Sequence, residues 1–352
     1  MKSGAESSST FTPLQAAASD QQNVGSRVRG ETLQAIQHPV AEKLSRVSQA
    51  MGSIVANELP LVGQVSAHLL AMRGKMFRPT LLLLSSEVAG EPRDEAVTLA
   101  ATLELIHLAT LVHDDAVDHS ALRRGMPTVN ALFSHQISVI MGDFLYSTAL
   151  THLVGLGNLE ALQTLTRAST EMTLGEMRQL AVSDPLKFTE NEYYALIRSK
   201  TASLMRAACE LGALAGAREY TGSLGTFGEN LGMAFQITDD LLDYREQVET
   251  TGKPSGLDLR EHKVTLPLIH ALREMTAGSR REVERLFQAD DASDEDIASV
   301  VHIVEENGGF DYARAQGEEF AERAHEALAD LPETVARRSL AASISYVMER
   351  HS

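Results

Sequence analysis

Two short acidic motifs are the parts of this 352-residue chain best suited to carry out chemistry. Both have the spacing Asp-Asp-X-X-Asp, and together they contain six carboxylates: Asp114, Asp115, Asp118, Asp239, Asp240 and Asp243. Residues three and four apart share one face of a helix, so each motif would gather like charges that repel. A cation should compensate, and hard carboxylate oxygens suit Mg²⁺, which is usually held by one or two carboxylates together with substrate phosphates.

The repetition of the motif is more informative than either copy. One such triplet would be expected to be a solvated acidic helix end. Two triplets of identical spacing, each after an apolar helical run, instead favour two inward-facing clusters that clamp one polyphosphate through shared metal ions.

Basic residues recur beside both motifs. They stand in Gly74-Lys75 with Arg78-Pro79, in Arg123-Arg124-Gly125, in Lys200-Thr201, and in a loop from Gly252-Lys253 to Lys263. Each alone would be a solvated side chain or a surface ion pair of little energetic value. Their recurrence next to carboxylates predicts a diphosphate site, in which Arg makes bidentate contacts and Lys supplies a point charge.

Helices must position these groups. From about residue 29 the chain shows almost no period-two alternation. A capping box is predicted at Thr189 with Glu192, and an imperfect one at Ser293 with Asp296. An apolar segment from Pro92 to Asp118 reads as one buried central helix. We therefore predict an all-α fold with a single domain over 29–352. Residues 1–28, rich in Ser, Ala and Gln, are predicted to be a disordered tail.

Composition excludes several classes of protein. The net charge of −17 disfavours binding of nucleic acid or an anionic membrane through bulk charge, and the single cysteine excludes an intrachain disulfide. The uncharged stretch 125–142 contains too many polar residues for a membrane span, and no secretory signal is present. We expect a cytoplasmic protein without an integral membrane segment. Residues 281–330 hold 15 acidic and 4 basic residues, so most of the excess charge lies beyond both motifs.

These motifs resemble those of the trans-isoprenyl diphosphate synthases, the polyprenyl synthetase family, and the medium- and long-chain members in particular. The resemblance covers about residues 40–350. It includes Gly-Lys-Met-Phe-Arg-Pro (74–79), both aspartate motifs, Gly175-Glu176 with Gln179, Lys200-Thr201-Ala202, Phe235-Gln236, and Lys263-Val-Thr-Leu-Pro267. It implies a helical bundle of the isoprenoid synthase type with a central active-site cavity, a Mg²⁺ requirement of up to three ions, and a homodimer.

The resemblance also implies a role for each matching residue. The metal ligands would be Asp114, Asp115, Asp118 and Asp239, with Asp240 and Asp243 acting partly through water. The allylic diphosphate would contact Arg123, Lys200, Thr201, Gln236, Lys253 and Lys263. Isopentenyl diphosphate would contact Lys75, Arg78, His107 and Arg124. The implied reaction is a Mg²⁺-dependent prenyl transfer in successive 1′–4 head-to-tail steps, in which Asp114, Asp115, Asp118, Lys200, Asp239 and Lys253 would be catalytic.

The length of the product is expected to depend on side-chain bulk before the first motif. In this family a bulky aromatic residue four or five positions before the first aspartate blocks the product tunnel. Here those positions are Ala109 and Thr110, both small. The tunnel would continue past Ile106, Leu105 and Thr102, and a deeper floor could come from Phe144, Leu145 and Thr148. We expect an all-trans product longer than C20 that serves as a quinone side-chain precursor.

Other functions remain open from the sequence. They are a shorter-chain farnesyl or geranylgeranyl diphosphate synthase, a class I terpene cyclase, a silent subunit of a heteromeric synthase and, last, a metal phosphohydrolase suggested by His113-Asp114. A cyclase normally replaces the second motif, and a silent subunit loses motif residues, but neither loss is seen here. One departure from the family is His262, where many relatives carry Gly before Lys263.

Overall fold

The computed structural model describes residues 32–72, 74–90, 93–245, 256–289 and 291–349. The helices within these ranges are α1 (Leu33–Gln37), α2 (Ala41–Ile54), α3 (Pro60–Ala71), α4 (Phe77–Ser86), α5 (Glu95–Val117), α6 (Val129–Leu132), α7 (His135–Gly155), α8 (Leu159–Leu180), α9 (Glu190–Ile197), α10 (Ser203–Gly216), α11 (Thr221–Arg245), α12 (Leu257–Arg260), α13 (Leu266–Glu274), α14 (Ala277–Gln288), α15 (Asp294–Glu306), α16 (Gly309–Ala327) and α17 (Val335–Met348). The prediction of an all-α fold is confirmed. The predicted tail at 1–28 and Lys253 lie outside the described residues.

Local sequence signals set the helix boundaries. Before α9, the Thr189 hydroxyl accepts the Glu192 backbone N–H, and the Glu192 carboxylate in turn accepts the Thr189 N–H. Ser293 and Asp296 make the same reciprocal box before α15. Gly308 separates α15 from α16 with φ 71°, a left-handed conformation that glycine adopts without steric cost. Both predicted capping boxes are confirmed.

The helix that ends in the first acidic motif is the centre of the bundle. Helix α5 packs against α2, α4, α7 and α10, and its residues Leu99, Leu103 and Leu105 are fully buried. Helix α11, which carries the second motif, packs against α10 and α16. The described residues, from 32 to 349, form one compact unit. Both motifs therefore lie on long helices, and packing against neighbouring helices fixes the position of each.

A short β-hairpin follows α5. Its strands, β1 (Leu122–Arg123) and β2 (Met126–Pro127), are antiparallel, and the turn residues Arg124 and Gly125 have φ of 53° and 74°. Positive φ at both turn positions is typical of a type I′ turn, which suits the twist of a two-residue hairpin. The sequence pattern missed this element because strands of two residues are too short to show alternation.

Two described helices, α5 and α7, are long and apolar enough to cross a membrane by length and composition alone. The most apolar window of α5 is 61% buried inside the protein, as in the core helix of a soluble protein, whereas that of α7 is 33% buried. Such a pair is weak evidence for a membrane span. The stretch 125–142, on which the sequence prediction depended, overlaps α7 only in part.

Candidate active site

The first acidic motif lies at the C-terminal end of α5. Asp115 is buried, Asp114 is half-buried and Asp118, the C-cap residue, is exposed. Burial raises the pKa of Asp114 to about 6, and the charges of Glu176 and Asp118 act in the same direction, against Lys200 and Arg123. Because the protein alone disfavours the charged form of Asp114, a cation bound beside this carboxylate would stabilise it.

The hairpin turns Arg123 back onto this motif. Its Nε lies 2.9 Å from both carboxylate oxygens of Asp115. Burial raises the pKa of Asp115, and the charge and hydrogen bond of Arg123 oppose that rise. Asp115 therefore holds Arg123 beside Asp114 and Asp118, where Arg123 could contact a diphosphate that approaches the motif.

Lys200 and Thr201 lie in a single π-helical turn, Arg198–Ala202, between α9 and α10. Such turns occur mostly as single-turn bulges inside α-helices, and they frequently lie at functional sites. Lys200 Nζ lies 2.8 Å from Glu176 Oε1 and donates to Gln179 Oε1 at 3.2 Å. The Gly-Glu and Gln motif on α8 thus holds the lysine that the sequence singled out.

Two glycines allow neighbouring helices to reach this turn closely. A Cβ on Gly175 would lie 3.2 Å from the Lys200 backbone N, and one on Gly232 would lie 2.6 Å from the Ala202 Cα. Any side chain at Gly232 would therefore push α11 away from the π-helical turn. The distance between the second acidic motif and Lys200 depends on this close approach.

The three carboxylates of the second motif have different surroundings. Asp240 accepts hydrogen bonds from the Tyr193 hydroxyl at 2.6 Å and from Gln236 Nε2 at 2.8 Å. Asp243 accepts the backbone N–H groups of Leu257 at 3.2 Å and Asp258 at 3.0 Å, and so caps α12. Asp239 is exposed. The role of Asp239 as a direct metal ligand, which the resemblance implies, stays a prediction.

Helix α12 and the loop that follows it bring a carboxylate, Asp258, and a lysine, Lys263, to the same place. Burial, followed by the Asp243 charge, raises the pKa of Asp258 to about 7. Lys263 interacts electrostatically with Asp258 and also with Asp118 of the first motif, and its Nζ donates to Glu261 at 2.5 Å. Lys263 therefore lies near Asp118 of the first motif, and it lines the same cavity as Asp240 of the second.

His262 occupies a left-handed backbone conformation with φ 54°, and its ring lies 5.4 Å from the Phe287 ring. We expect His262→Gly to remove about 1 kcal/mol of backbone strain and to lose a ring contact of similar value. The unfolding free energy should change by less than about 1 kcal/mol and turnover by less than about threefold, because Lys263 stays in place.

Thermal unfolding and steady-state rates of the variant measure both effects. His262→Ala is the matched control, because it loses the ring but keeps the strained backbone, and it should be less stable than the glycine variant. A tenfold loss of turnover in the glycine variant would instead show that the His262 side chain takes part in the reaction.

A second basic cluster lies beside α5, one turn or more before the first motif. Arg78 Nη1 lies 3.0 Å from His107 Nε2. Since arginine can only donate, this nitrogen of His107 is the acceptor and carries no proton. Burial and then the charges of Arg78, Arg124 and Arg123 hold the pKa of His107 well below its usual range. His107 is thus a neutral group that orients Arg78.

Glu104, one turn before His107, supplies the negative charge in this cluster. Its Oε2 is buried and, among the described residues, has no hydrogen-bond partner; the same holds for Arg78 Nε. Burial raises the pKa of Glu104, while Arg78 and then Arg124 lower it. Arg78 is therefore able to donate a hydrogen bond from its buried Nε to a further anionic ligand.

Arg124 completes the cluster from the hairpin turn. Its Nη1 donates to the Met72 carbonyl at 3.0 Å, and a Cβ on Gly74 would lie 2.7 Å from that same nitrogen. Arg124, Gly74, Glu104 and His107 line a cavity of about 130 Å³ that is otherwise largely apolar. Lys75 is exposed and follows Gly74 in the loop before α4. The four residues predicted to bind isopentenyl diphosphate therefore lie in one region.

The residues predicted to line the product tunnel are largely apolar and enclosed. Ala109, Leu105, Ile106 and Leu145 are buried, and Thr110 and Phe144 are half-buried. Helices α5 and α7, which carry them, pack directly against each other. Their role in setting product length stays a prediction.

Four of the six residues predicted to contact the allylic diphosphate border a larger cavity of about 340 Å³. Its lining includes Lys200, Thr201, Gln236, Asp240, Asp258 and Lys263. Among the described residues, no three His, Cys, Asp or Glu side chains converge to hold a metal ion by themselves. Carboxylates near a cationic cavity fit Mg²⁺ that takes its remaining ligands from water and substrate phosphates.

Three further residues of the site had not been singled out for a role. Tyr193 and Glu104 each stand in helical sequence with no motif around them to mark them. Asp258 follows the second motif in a Gly- and Pro-containing loop, where an isolated carboxylate reads as a solvated side chain. Only the packing of separate helices shows that all three face the cavity residues.

Comparison with known proteins supports one family. A family model described as polyprenyl synthetase matches residues 59–304. The chain is 40% identical over 304 residues to an all-trans-nonaprenyl-diphosphate synthase (geranyl-diphosphate specific) of Rhodobacter capsulatus, covering 86% of this chain and 93% of that protein. It is 36% identical over 311 residues to octaprenyl diphosphate synthase of Escherichia coli (strain K12), covering 88% and 96%.

A solved structure agrees with this. The crystal structure of a polyprenyl synthase from Caulobacter crescentus, complexed with calcium and isoprenyl diphosphate, matches with a TM-score of 0.86 at 32% identity. The match covers 92% of this chain and 99% of that chain.

Proposed function

Because the chain belongs to the polyprenyl synthetase family and is a trans-prenyltransferase, we propose that it extends an allylic diphosphate with isopentenyl diphosphate to an all-trans product longer than C20. The observation that supports this most is the pair of cationic clusters around α5. One borders both acidic motifs through Lys200 and Lys263, and the other surrounds His107. Two separate anion sites at one end of a buried helix fit two diphosphate substrates.

The chain's own residues would bind and orient both substrates. Lys200, Gln236 and Lys263 would contact the allylic diphosphate from the larger cavity, with Lys253 and Thr201 as further contacts. Arg78, kept in place by His107 and Glu104, would bind isopentenyl diphosphate with Lys75 and Arg124. Two substrates held in fixed orientation react as if one molecule, which lowers the entropic part of the barrier.

Asp114, Asp115, Asp118 and Asp239 would hold Mg²⁺, up to three ions, with Asp115 also orienting Arg123 and with Asp240 and Asp243 contributing through water. Bound Mg²⁺ would neutralise the negative charge that develops on the departing pyrophosphate. Lys200, Lys263 and Arg123 stabilise the same charge as the allylic C–O bond breaks. The carbon–carbon double bond of isopentenyl diphosphate then forms the new bond to the allylic carbon, and the proton lost passes to the released pyrophosphate.

The apolar interior has a chemical function in this reaction. The buried side chains of α5 beyond the motif, including Leu105 and Ile106, would surround the growing chain and exclude water. Water would otherwise capture the allylic cation. The relatives named as nonaprenyl and octaprenyl diphosphate synthases support a product well beyond C20, and small Ala109 and Thr110 agree with that.

Incubation of the purified chain with labelled isopentenyl diphosphate, Mg²⁺ and an allylic primer tests the proposal. We expect label in apolar diphosphate esters, with release of pyrophosphate, only when primer and Mg²⁺ are both present. A chain that is silent alone but active after addition of a second protein would be a subunit of a heteromeric synthase. Cyclic hydrocarbon from the primer alone would show a terpene cyclase.

We also propose a cytoplasmic homodimer formed through α7 and α8. These adjacent helices expose seven large apolar side chains: Val139, Ile140, Val154, Leu159, Leu174, Met177 and Leu180. An apolar face on two neighbouring helices fits a second copy of the same face in a two-fold dimer.

The mass measured by light scattering after size exclusion tests the homodimer. The wild-type chain should be a dimer, and Ile140→Asp should be a monomer. Val335→Asp, at a similarly exposed apolar position on α17, should remain a dimer. A monomeric wild-type chain would refute this proposal.

A further inference from the structure

Tyr193 has a hydroxyl group that is held in the core beside the second acidic motif. The side chain lies on α9 and is 2% exposed. Its hydroxyl donates a 2.6 Å hydrogen bond to Asp240 Oδ2, on α11. This O···O distance is at the short end of the range for O–H···O hydrogen bonds, so the contact is well formed. Tyr193 thus fixes one oxygen of a carboxylate in the second acidic motif from outside that motif.

The hydrogen-bond chain continues from Asp240 into the larger cavity. Asp240 Oδ1 accepts from Gln236 Nε2 at 2.8 Å, and Gln236 Oε1 accepts from the Thr201 hydroxyl at 2.7 Å. The amide of Gln236 is therefore oriented from both ends, with its nitrogen toward Asp240. An amide nitrogen carries two hydrogens, so one N–H remains for another acceptor. Gln236 and Thr201 both line the cavity that would receive the allylic diphosphate.

We propose that Tyr193 is a positioning residue for allylic diphosphate binding, acting through Asp240, Gln236 and Thr201. This inference rests on the proposed function. The Tyr193 hydroxyl keeps the Asp240 carboxylate in the plane that accepts from Gln236, and Gln236 then presents its second N–H to a diphosphate oxygen. The same series of hydrogen bonds joins α9 and α11 to the π-helical turn that carries Lys200. It therefore also sets the distance between Lys200 and the second motif.

The effect should be confined to one substrate. The isopentenyl diphosphate cluster of Arg78, His107 and Arg124 has no member in this hydrogen-bond chain. Loss of the Tyr193 hydroxyl should therefore weaken the allylic site and leave the other site unchanged. A tyrosine that only fills the core would affect both substrates equally, through stability.

Tyr194 offers a matched control on the same helix. Its hydroxyl also donates to a carboxylate, Glu190 Oε1, at 3.0 Å, but it faces α16 through Phe320 and Gln316. Tyr193→Phe and Tyr194→Phe thus each remove one hydroxyl-to-carboxylate hydrogen bond from neighbouring positions. Only the Tyr193 hydroxyl belongs to the series of hydrogen bonds that ends in the larger cavity.

The test compares the two variants with the wild type in steady-state kinetics, below all three melting temperatures. We expect Tyr193→Phe to lower kcat/KM for the allylic diphosphate about tenfold. Its KM for isopentenyl diphosphate should stay within about twofold of the wild type, as should all constants of Tyr194→Phe. Calorimetry with inorganic pyrophosphate and Mg²⁺ should show a matching loss of affinity for Tyr193→Phe alone.

Thr201→Val, which removes the donor at the other end of the chain, is the second variant and should show the same split between substrates. Equal effects of the two tyrosine variants, or equal effects of Tyr193→Phe on both substrates, would overturn the inference. Absence of prenyl transfer by the wild-type chain would refute the proposed function instead, and the pyrophosphate affinities would still decide whether Tyr193 positions the anion site.

Discussion

Asp114→Asn should lower kcat for prenyl transfer by about a thousandfold or more, because it removes a carboxylate that the proposed Mg²⁺ site requires. The side chain keeps its size and its hydrogen-bonding capacity, so the fold should persist. Steady-state rates at saturating Mg²⁺ and substrate measure the loss. Asp94→Asn is the control, since Asp94 precedes the same helix with a largely exposed side chain, and it should retain the wild-type rate.

The same substitution should stabilise the protein in the absence of metal. The pKa of Asp114 is raised from 3.8 to about 6, mainly by burial, so the folded state disfavours its charged form. This carboxylate therefore lowers stability at pH 7, and the loss is relieved as the pH falls from about 6 toward 4. We expect Asp114→Asn to raise the unfolding free energy in EDTA at pH 7 by on the order of 2 kcal/mol, with little gain at pH 4.

A rate near wild type for Asp114→Asn would contradict the assignment of Asp114 to the metal site. A lower stability of this variant at pH 7 without metal would contradict the electrostatic argument. The two results are independent, because the first concerns the loaded enzyme and the second the metal-free protein.

Ala109→Phe should shorten the product to about C15–C20 while leaving the first condensation largely intact. A phenylalanine at this buried position of α5 would take up space in the apolar interior and close the proposed tunnel. Reversed-phase chromatography of the dephosphorylated products measures chain length. Ala109→Ser, which adds almost no bulk, should keep the wild-type product.

Overpacking of a core position can cost about 1–3 kcal/mol, so the melting temperature is measured alongside the products. Thr110→Phe is the second variant, because Thr110 is half-buried and a larger side chain is easier to accommodate there. An unchanged product length in folded forms of both variants would show that neither residue lines the tunnel.

The sequence predicted the parts of this site that depend on local spacing. Repeated Asp-Asp-X-X-Asp motifs after apolar runs placed the carboxylates at defined positions of α5 and α11, and the capping residue Thr189 fixed the start of α9. Periodicity and capping depend on neighbours within one or two helical turns, and both are visible in a single chain.

The residues that the sequence did not predict make contacts between different helices. Tyr193 reaches Asp240, 47 positions away, and Glu104 faces Arg78 from another helix. The π-helical turn at Lys200 depends on close packing against Gly175 and Gly232. No local pattern contains such contacts, because they arise only when the helices have packed.

The chain length of the product tests the central claim most directly. Purified protein, Mg²⁺, labelled isopentenyl diphosphate and each of several allylic primers are incubated, and the dephosphorylated products are separated by chromatography. We predict all-trans prenyl alcohols longer than C20 as the end product with every primer that is accepted. Accumulation of a C15 product alone would contradict the proposed function.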